Sequence, residues 1–244
     1  RAIYPTLLFA EYNGYKLNII DTPGADDFCG GLFSAFKVAD VGVMLINAQN
    51  GFEVGSEIQA RYARSHDKPI IAVINQLDSE KASWEASLDS IRAASQVTPV
   101  VVQYPVNPGP DFNAFIDVLL MKMYKFKGDT GIREELDIPA EEMERATELN
   151  RILTEAAAEN DEALMELYFE KGVLTQDELR SGLKLGLAKR DLIPVFCASG
   201  KRDIGAKRLM EFIINVAPGP LKAPNFVTVD GREIEPDKIG RAHV

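Results

Sequence analysis

Cysteine is nearly absent, since Cys29 and Cys197 are the only two and lie far apart in the 244 residues. This excludes a disulfide framework and leaves no zinc-ligand spacing, so a reducing, cytoplasmic compartment is expected. Basic residues are short as well: 27 Lys and Arg stand against 37 Asp and Glu, for a net charge of −10. Such a surface does not bind DNA or RNA by itself through phosphate neutralisation, and no independent DNA binding is expected. No apolar run approaches the roughly 20 residues that span a bilayer, and no charged-then-apolar leader opens the chain, so no membrane association is expected. Histidine is scarce too. His66 ends a helical segment and reads as a partner of the helix dipole, and His243 lies in the last residues. What remains is 46% hydrophobic, ordinary for a packed protein of one large or two small domains.

The first hundred residues alternate between two periodicities. Tyr15 to Ile20, Val41 to Asn47 and Pro69 to Asn75 are short apolar runs ending in polar or turn residues, and helical patterns separate them. This alternation predicts an α/β fold with a mainly parallel sheet and helices on both faces. Asn13-Gly14 predicts a tight hairpin between 7–12 and 15–20, giving one antiparallel edge pair on that sheet. From residue 97 the pattern changes. Pro99 to Val106 and Ala114 to Phe126 read as further strands, and Pro139 to about Arg190 reads as three helices, with breaks near Asn160-Asp161 and Gly172. Thr175-Gln176-Asp177-Glu178 supplies a capping box. The parallel pattern resumes with a strand at Leu192–Cys197 and a helix to Val216. The expected organisation is thus one α/β domain over 1–96 and 191–220, an inserted α+β subdomain over 97–190, and the start of a following domain or linker over 221–238. Residues 239–244 read as one frame of a common sequencing adapter and are expected to be a non-native tail.

Three short segments stand where strands present their carboxyl ends to a ligand. Asp21-Thr22-Pro23-Gly24 follows the strand ending at Ile20. An Asp there can hold Mg²⁺ through water, and a Gly lets its backbone N–H approach a γ-phosphate. A strand-to-helix turn with a capping Asp would look the same. Asn75-Gln76-Leu77-Asp78 follows a buried strand. The Asp carboxylate can accept two N–H donors from a guanine edge while the Asn braces the neighbouring loops, although Asp78 or Ser79 could equally cap a helix. Cys197-Ala198-Ser199-Gly200 ends a third strand, where backbone N–H groups could meet the base carbonyl. Order and placement together make the set specific.

With these residues in hand, the chain resembles the G domain of elongation factor G, a translational GTPase. The stretch from Leu17 to Gly24 with Asp27-Phe28 is similar to that family's second motif, and Asn75 to Asp78 to its base-recognition motif. Asp137-Ile138-Pro139-Ala140, Leu164-Met165-Glu166 with Tyr168, and Leu174-Thr175 resemble its inserted subdomain. The resemblance implies a P-loop-NTPase-type fold and GTP or GDP with Mg²⁺ as ligands. It also implies a ribosomal partner, including a stalk protein met through the inserted subdomain. A monomer is expected. The positions carried over for nucleotide are Asp21, Thr22, Pro23, Gly24, Ala25, Asn75, Gln76, Leu77, Asp78, Ser199 and Gly200, with Asp21 as the metal residue.

The sequence also departs from the family. It has no G-x-x-x-x-G-K-[ST] loop for phosphates, and Gly200-Lys201 is no substitute. The loop is expected upstream of these residues. Ala25 stands where the family has a water-positioning histidine, so no catalytic residue is assigned and slow hydrolysis in a divergent paralogue is expected. Gln76 replaces a lysine that covers the base, Gly200 replaces an alanine, and Ala2 falls at a Mg²⁺-binding threonine. A ribosome-protection or regulatory GTPase, a non-hydrolysing ribosome-binding switch, and a nucleotide-free interaction module are the alternatives. Trp84, Phe112, Phe115 and Phe126 are read as packing residues, and the carboxylate-rich stretch from Glu134 to Glu166 as a solvated helical face.

Overall fold

In the computed structural model of the chain, residues 3–220 and 226–234 are described. Ala2, half of the 221–238 segment and the whole 239–244 tail lie outside them. The chain opens with β1 (Thr6–Tyr12) and β2 (Tyr15–Asp21), an antiparallel hairpin in register from Tyr12↔Tyr15 to Thr6↔Asp21. Asn13 and Gly14 turn it with φ of 50° and 76°, a pair of left-handed residues that matches the strand twist.

After a short 3-10 turn come α1 (Cys29–Val38), β3 (Gly42–Asn47), α2 (Val54–Ser65), β4 (Ile70–Asn75), α3 (Trp84–Ala94) and β5 (Thr98–Val101). A second group follows, with β6 (Gln103–Pro105), β7 (Ala114–Asp117), β8 (Lys122–Phe126) and β9 (Arg133–Leu136). It is completed by the helices α4 (Ala140–Ala158), α5 (Glu162–Lys171) and α6 (Gln176–Lys189). The chain then returns through β10 (Leu192–Cys197) and α7 (Ala206–Val216), and ends in the small hairpin of β11 (Phe226–Val227) and β12 (Glu233–Ile234).

The parallel sheet runs β3-β4-β10-β5, and the second group forms an antiparallel sheet in the order β6-β7-β8-β9. Helices α2 and α3 connect successive parallel strands, as an α/β reading requires. Every residue of β4 from Ile70 to Ile74 is buried, consistent with a central strand covered on both faces. Phe196 on β10 meets Phe212 on α7 edge to face at 4.8 Å, and both are buried. In the second group Tyr104, Phe112, Phe115 and Ile116 are wholly buried and Phe126 nearly so, as is Trp84 at the start of α3, which agrees with the reading of Trp84 and the three Phe as packing residues. The Thr175–Glu178 capping box is present, with the Thr175 N–H donating to Glu178 Oε2 at 2.7 Å. His66 ends α2 and stacks on Tyr62 with ring centroids 4.0 Å apart.

Two expectations differ from the structure. The β1–β2 hairpin is not an edge of the parallel sheet but a separate two-stranded sheet. The outer edges of β2 and β3 carry no strand partner among the described residues, so nothing hydrogen-bonds one sheet to the other. Exposed apolar side chains line both, with Ile19 on β2 and Val43 and Leu45 on β3. The segment expected to belong to the insertion from residue 97 also starts later. Thr98 to Val101 pairs in parallel with Leu192 to Val195, and the antiparallel group begins at Gln103. A four-residue strand continuing almost directly into another carries no local signal of which sheet holds it.

Candidate functional site

The carboxyl ends of β4 and β10 lie side by side, because Ala72, Val73 and Ile74 pair with Val195, Phe196 and Cys197. That register brings the two loops after them into contact. Ser199, wholly buried, donates its hydroxyl to Asp78 Oδ1 at 2.7 Å. Gly200 N donates to Asn75 Oδ1 at 2.9 Å, and Leu77 N donates to Ala198 O at 3.3 Å. Asn75, Leu77, Asp78, Ser199 and Gly200, drawn from segments more than a hundred residues apart in sequence, therefore form one bonded unit.

Chemically the unit presents carboxylate, hydroxyl and backbone groups at the strand ends. Asn75 joins the two loops through its side-chain carbonyl oxygen, which accepts from Gly200 N. Asp78 has one oxygen engaged by Ser199 and stays half-buried at the surface, with acceptor capacity left for N–H donors of a ligand. Guanine offers two such donors on one edge. Leu77 is buried and anchors the loop. Gln76 has φ of 63°, so its backbone makes the sharp turn, and its side chain is exposed.

The Asp21 to Ala25 segment is placed differently. Asp21 ends β2 opposite Thr6 and is exposed. Pro23 is buried, Gly24 is exposed, and Ala25 accepts a turn hydrogen bond from Phe28 N at 3.0 Å. Gly24 and Ala25 open on a space of about 640 Å³, whose other walls include Leu45 and Asn47 from β3 and Glu53 and Ser56 at the start of α2. Glu53 is the one ionisable residue among the described residues lining it. Sequence reading missed both Glu53 and Asn47, since neither follows a motif.

The residues present fit the expected ligands unevenly. A guanine base suits the Asn75–Asp78–Ser199 unit, whose bonds are already made. Mg²⁺ binds through one or two carboxylates together with phosphates and waters. Asp21 supplies one such carboxylate, and no group of three or more potential metal ligands occurs among the described residues. None of those residues forms the glycine-rich cradle that phosphates need.

An α/β sheet with a bonded pair of loops at its strand ends has the architecture of a nucleotide-binding domain. The comparisons agree. Residues 3–219 match the family described as the elongation factor Tu GTP binding domain, and the chain belongs to that family. It is also similar to a crystal structure of a protein from Thermus thermophilus, at 28% identity and a TM-score of 0.82, over 89% of this chain and 32% of that one. The chain thus spans about a third of the length of that protein.

Proposed function

We propose that this chain is the guanine-nucleotide-binding domain of an elongation-factor-G-type translation factor, which promotes movement of tRNA and mRNA through the ribosome. The observation that carries the reading is the bonded unit of Asn75, Asp78, Ser199 and Gly200, built by the β4–β10 register. In this reading Asp78 selects guanine and Asn75 braces its loop. Asp21 reaches Mg²⁺ through water, and the Gly24 backbone senses the γ-phosphate. Phosphate contacts come from a loop of the intact protein outside these residues. The antiparallel group from Gln103 with α4, α5 and α6 is the inserted subdomain, joined to the nucleotide domain at 102/103 and at 190/191, and it meets a ribosomal stalk protein.

A second reading, a switch that binds GTP and hydrolyses it slowly, is favoured by the space beside Ala25, which no histidine lines among the described residues. Single-turnover hydrolysis by the full-length gene product with ribosomes separates the two. Slow hydrolysis that rises about 10²-fold in Ala25→His supports the switch. Fast hydrolysis by the natural protein sinks the switch and leaves the elongation reading. Absence of guanine-nucleotide binding by the full-length protein sinks both.

A further inference from the structure

The base-selecting loops touch a third partner. Gly109 N, in the loop between β6 and β7, donates to Leu77 O at 2.7 Å. The same loop is gripped from the other side by Arg202, whose Nη1 donates to Pro110 O at 2.9 Å and to Phe112 O at 3.0 Å. Arg202 Nε reaches Asp129 Oδ1 at 2.7 Å, in the loop between β8 and β9. Its backbone N–H donates to Ser199 Oγ at 3.2 Å, the hydroxyl that itself donates to Asp78. Gly131 packs so closely on Asp203 that a Cβ there would collide with the Asp203 carboxylate. One residue therefore joins the Ser199 hydroxyl to two loops of the antiparallel group, with three guanidinium contacts and one backbone contact.

We propose that Arg202 is a positioning residue for base selection, through which the antiparallel group sets the orientation of Ser199 and hence of Asp78. The inference rests on the guanine reading above and goes beyond it. An Arg is suited to the task because its planar fork holds two carbonyls and a carboxylate at once, which a Lys point charge cannot do in fixed geometry. The side chain is three-quarters covered, so these bonds are less screened than a surface pair. Ser199 has a single hydroxyl proton, and it goes to Asp78. The Arg202 N–H on the same oxygen fixes the direction in which that proton points. When the Arg202 loop shifts, Asp78 loses its alignment while the β4 and β10 strands stay intact.

The test compares GDP with inosine diphosphate, which lacks the exocyclic amino group and so engages one Asp78 acceptor contact fewer. In the full-length protein, Arg202→Met is expected to cut the GDP-over-inosine-diphosphate preference about fivefold to tenfold, Arg202→Lys to cut it less, and Asp129→Asn least. Equal loss of both affinities, with the ratio unchanged, would make Arg202 a merely structural residue and overturn the proposal. If the natural protein shows no guanine preference, the guanine reading fails by itself. The positioning claim is then read by amide exchange in the present chain. Arg202→Met should speed exchange at Gly109, Leu77 and Gly200 relative to the β4 amides, and unchanged exchange there overturns it.

Discussion

At the end of the sheet that carries Asn75 and Ser199, each loop is tied to another: 75–78 to 198–200, and both to the antiparallel group through Gly109 and Arg202. After Asp21, at the end of the separate hairpin sheet, the loop has the Thr6 pairing behind it and one turn bond at Ala25 ahead of it among the described residues. The difference is physical. A base is recognised by groups that must already point the right way, which costs ordering free energy that the fold has met in advance. A loop that responds to the γ-phosphate has to move between states, and segments with few bonds are those that open locally. On the proposed reading, selection belongs to the packed half and response to the loose half.

Loosening the packed half should have the largest effect. Asp117 on β7 is wholly buried and accepts from Arg208 Nε on α7 at 2.7 Å, from Gln103 Nε2 at 3.1 Å and from Leu120 N at 2.9 Å. Asp117→Ala takes from the buried Arg208 guanidinium its closer carboxylate, leaving only Glu211 Oε2 at 3.2 Å from Nη1, and is expected to cost about 3 kcal/mol in urea unfolding. The paired replacement of Asp117 by Leu and Arg208 by Met should cost far less, since it removes that buried charge. If the single and double variants are equally destabilised, this ion pair is not what joins the antiparallel group to α7.

Among the described residues, the hairpin of the loose half is tied to the rest by one polar cluster. Tyr12, beside the hairpin turn, donates to Glu211 Oε1 at 2.6 Å, and Arg133 Nη2 donates to the same oxygen at 3.0 Å. Burial pushes the Glu211 carboxyl up, but the Tyr12 hydroxyl together with Arg133 and Arg208 outweighs it and holds the carboxyl below the ordinary Glu range. A carboxylate depressed in the folded state adds stability that is full above its unfolded value, about 4.3, and is lost as pH falls through the lower folded value. Acidification below about pH 4 should therefore raise amide exchange in β1 and β2, corrected for the intrinsic rate, before it does so in β4. Glu211→Gln should abolish that pH step. A hairpin that loosens together with β4 would remove the contrast between the two halves.

Much of this contrast was legible in the sequence, and the missing parts share a cause. The Asn13-Gly14 turn, the Thr175 capping box and the strand ending at Cys197 each have a local signal: a left-handed pair, a four-residue spacing, an apolar run. The segments that the β4–β10 register brings together were legible because they are short, stand at strand ends and follow a fixed order. Arg202, Asp117 and Glu53 were not, because their partners lie far away in sequence or belong to the wall of a space, and no periodicity marks such pairings. The place of β5 in the parallel sheet was hidden because four residues cannot show which neighbour they will pair with. The hairpin was read as an edge of that sheet because the sequence pattern shows strands and turns but not whether β2 and β3 meet.

The smallest expected effect tests the packed half at its ligand face. Gly200 has no left-handed φ, and a Cβ built there would meet only the Asn75 side-chain amide, at 3.8 Å, an ordinary van der Waals distance. Nothing in the backbone demands glycine at this position. Gly200→Ala should stabilise the chain by about 0.4–1 kcal/mol, because the substitution reduces the freedom of the unfolded chain at a position whose native conformation alanine can adopt. The Gly200 N–H to Asn75 bond should survive, as a backbone donor is unaffected by the added methyl group. Urea unfolding reads the first effect, and the Gly200 amide exchange rate reads the second. Destabilisation, or faster exchange at residue 200, would mean that the loop needs freedom that its bonds to Asn75 and Ser199 do not show, and that the packed half is less fixed at its ligand face than in its interior.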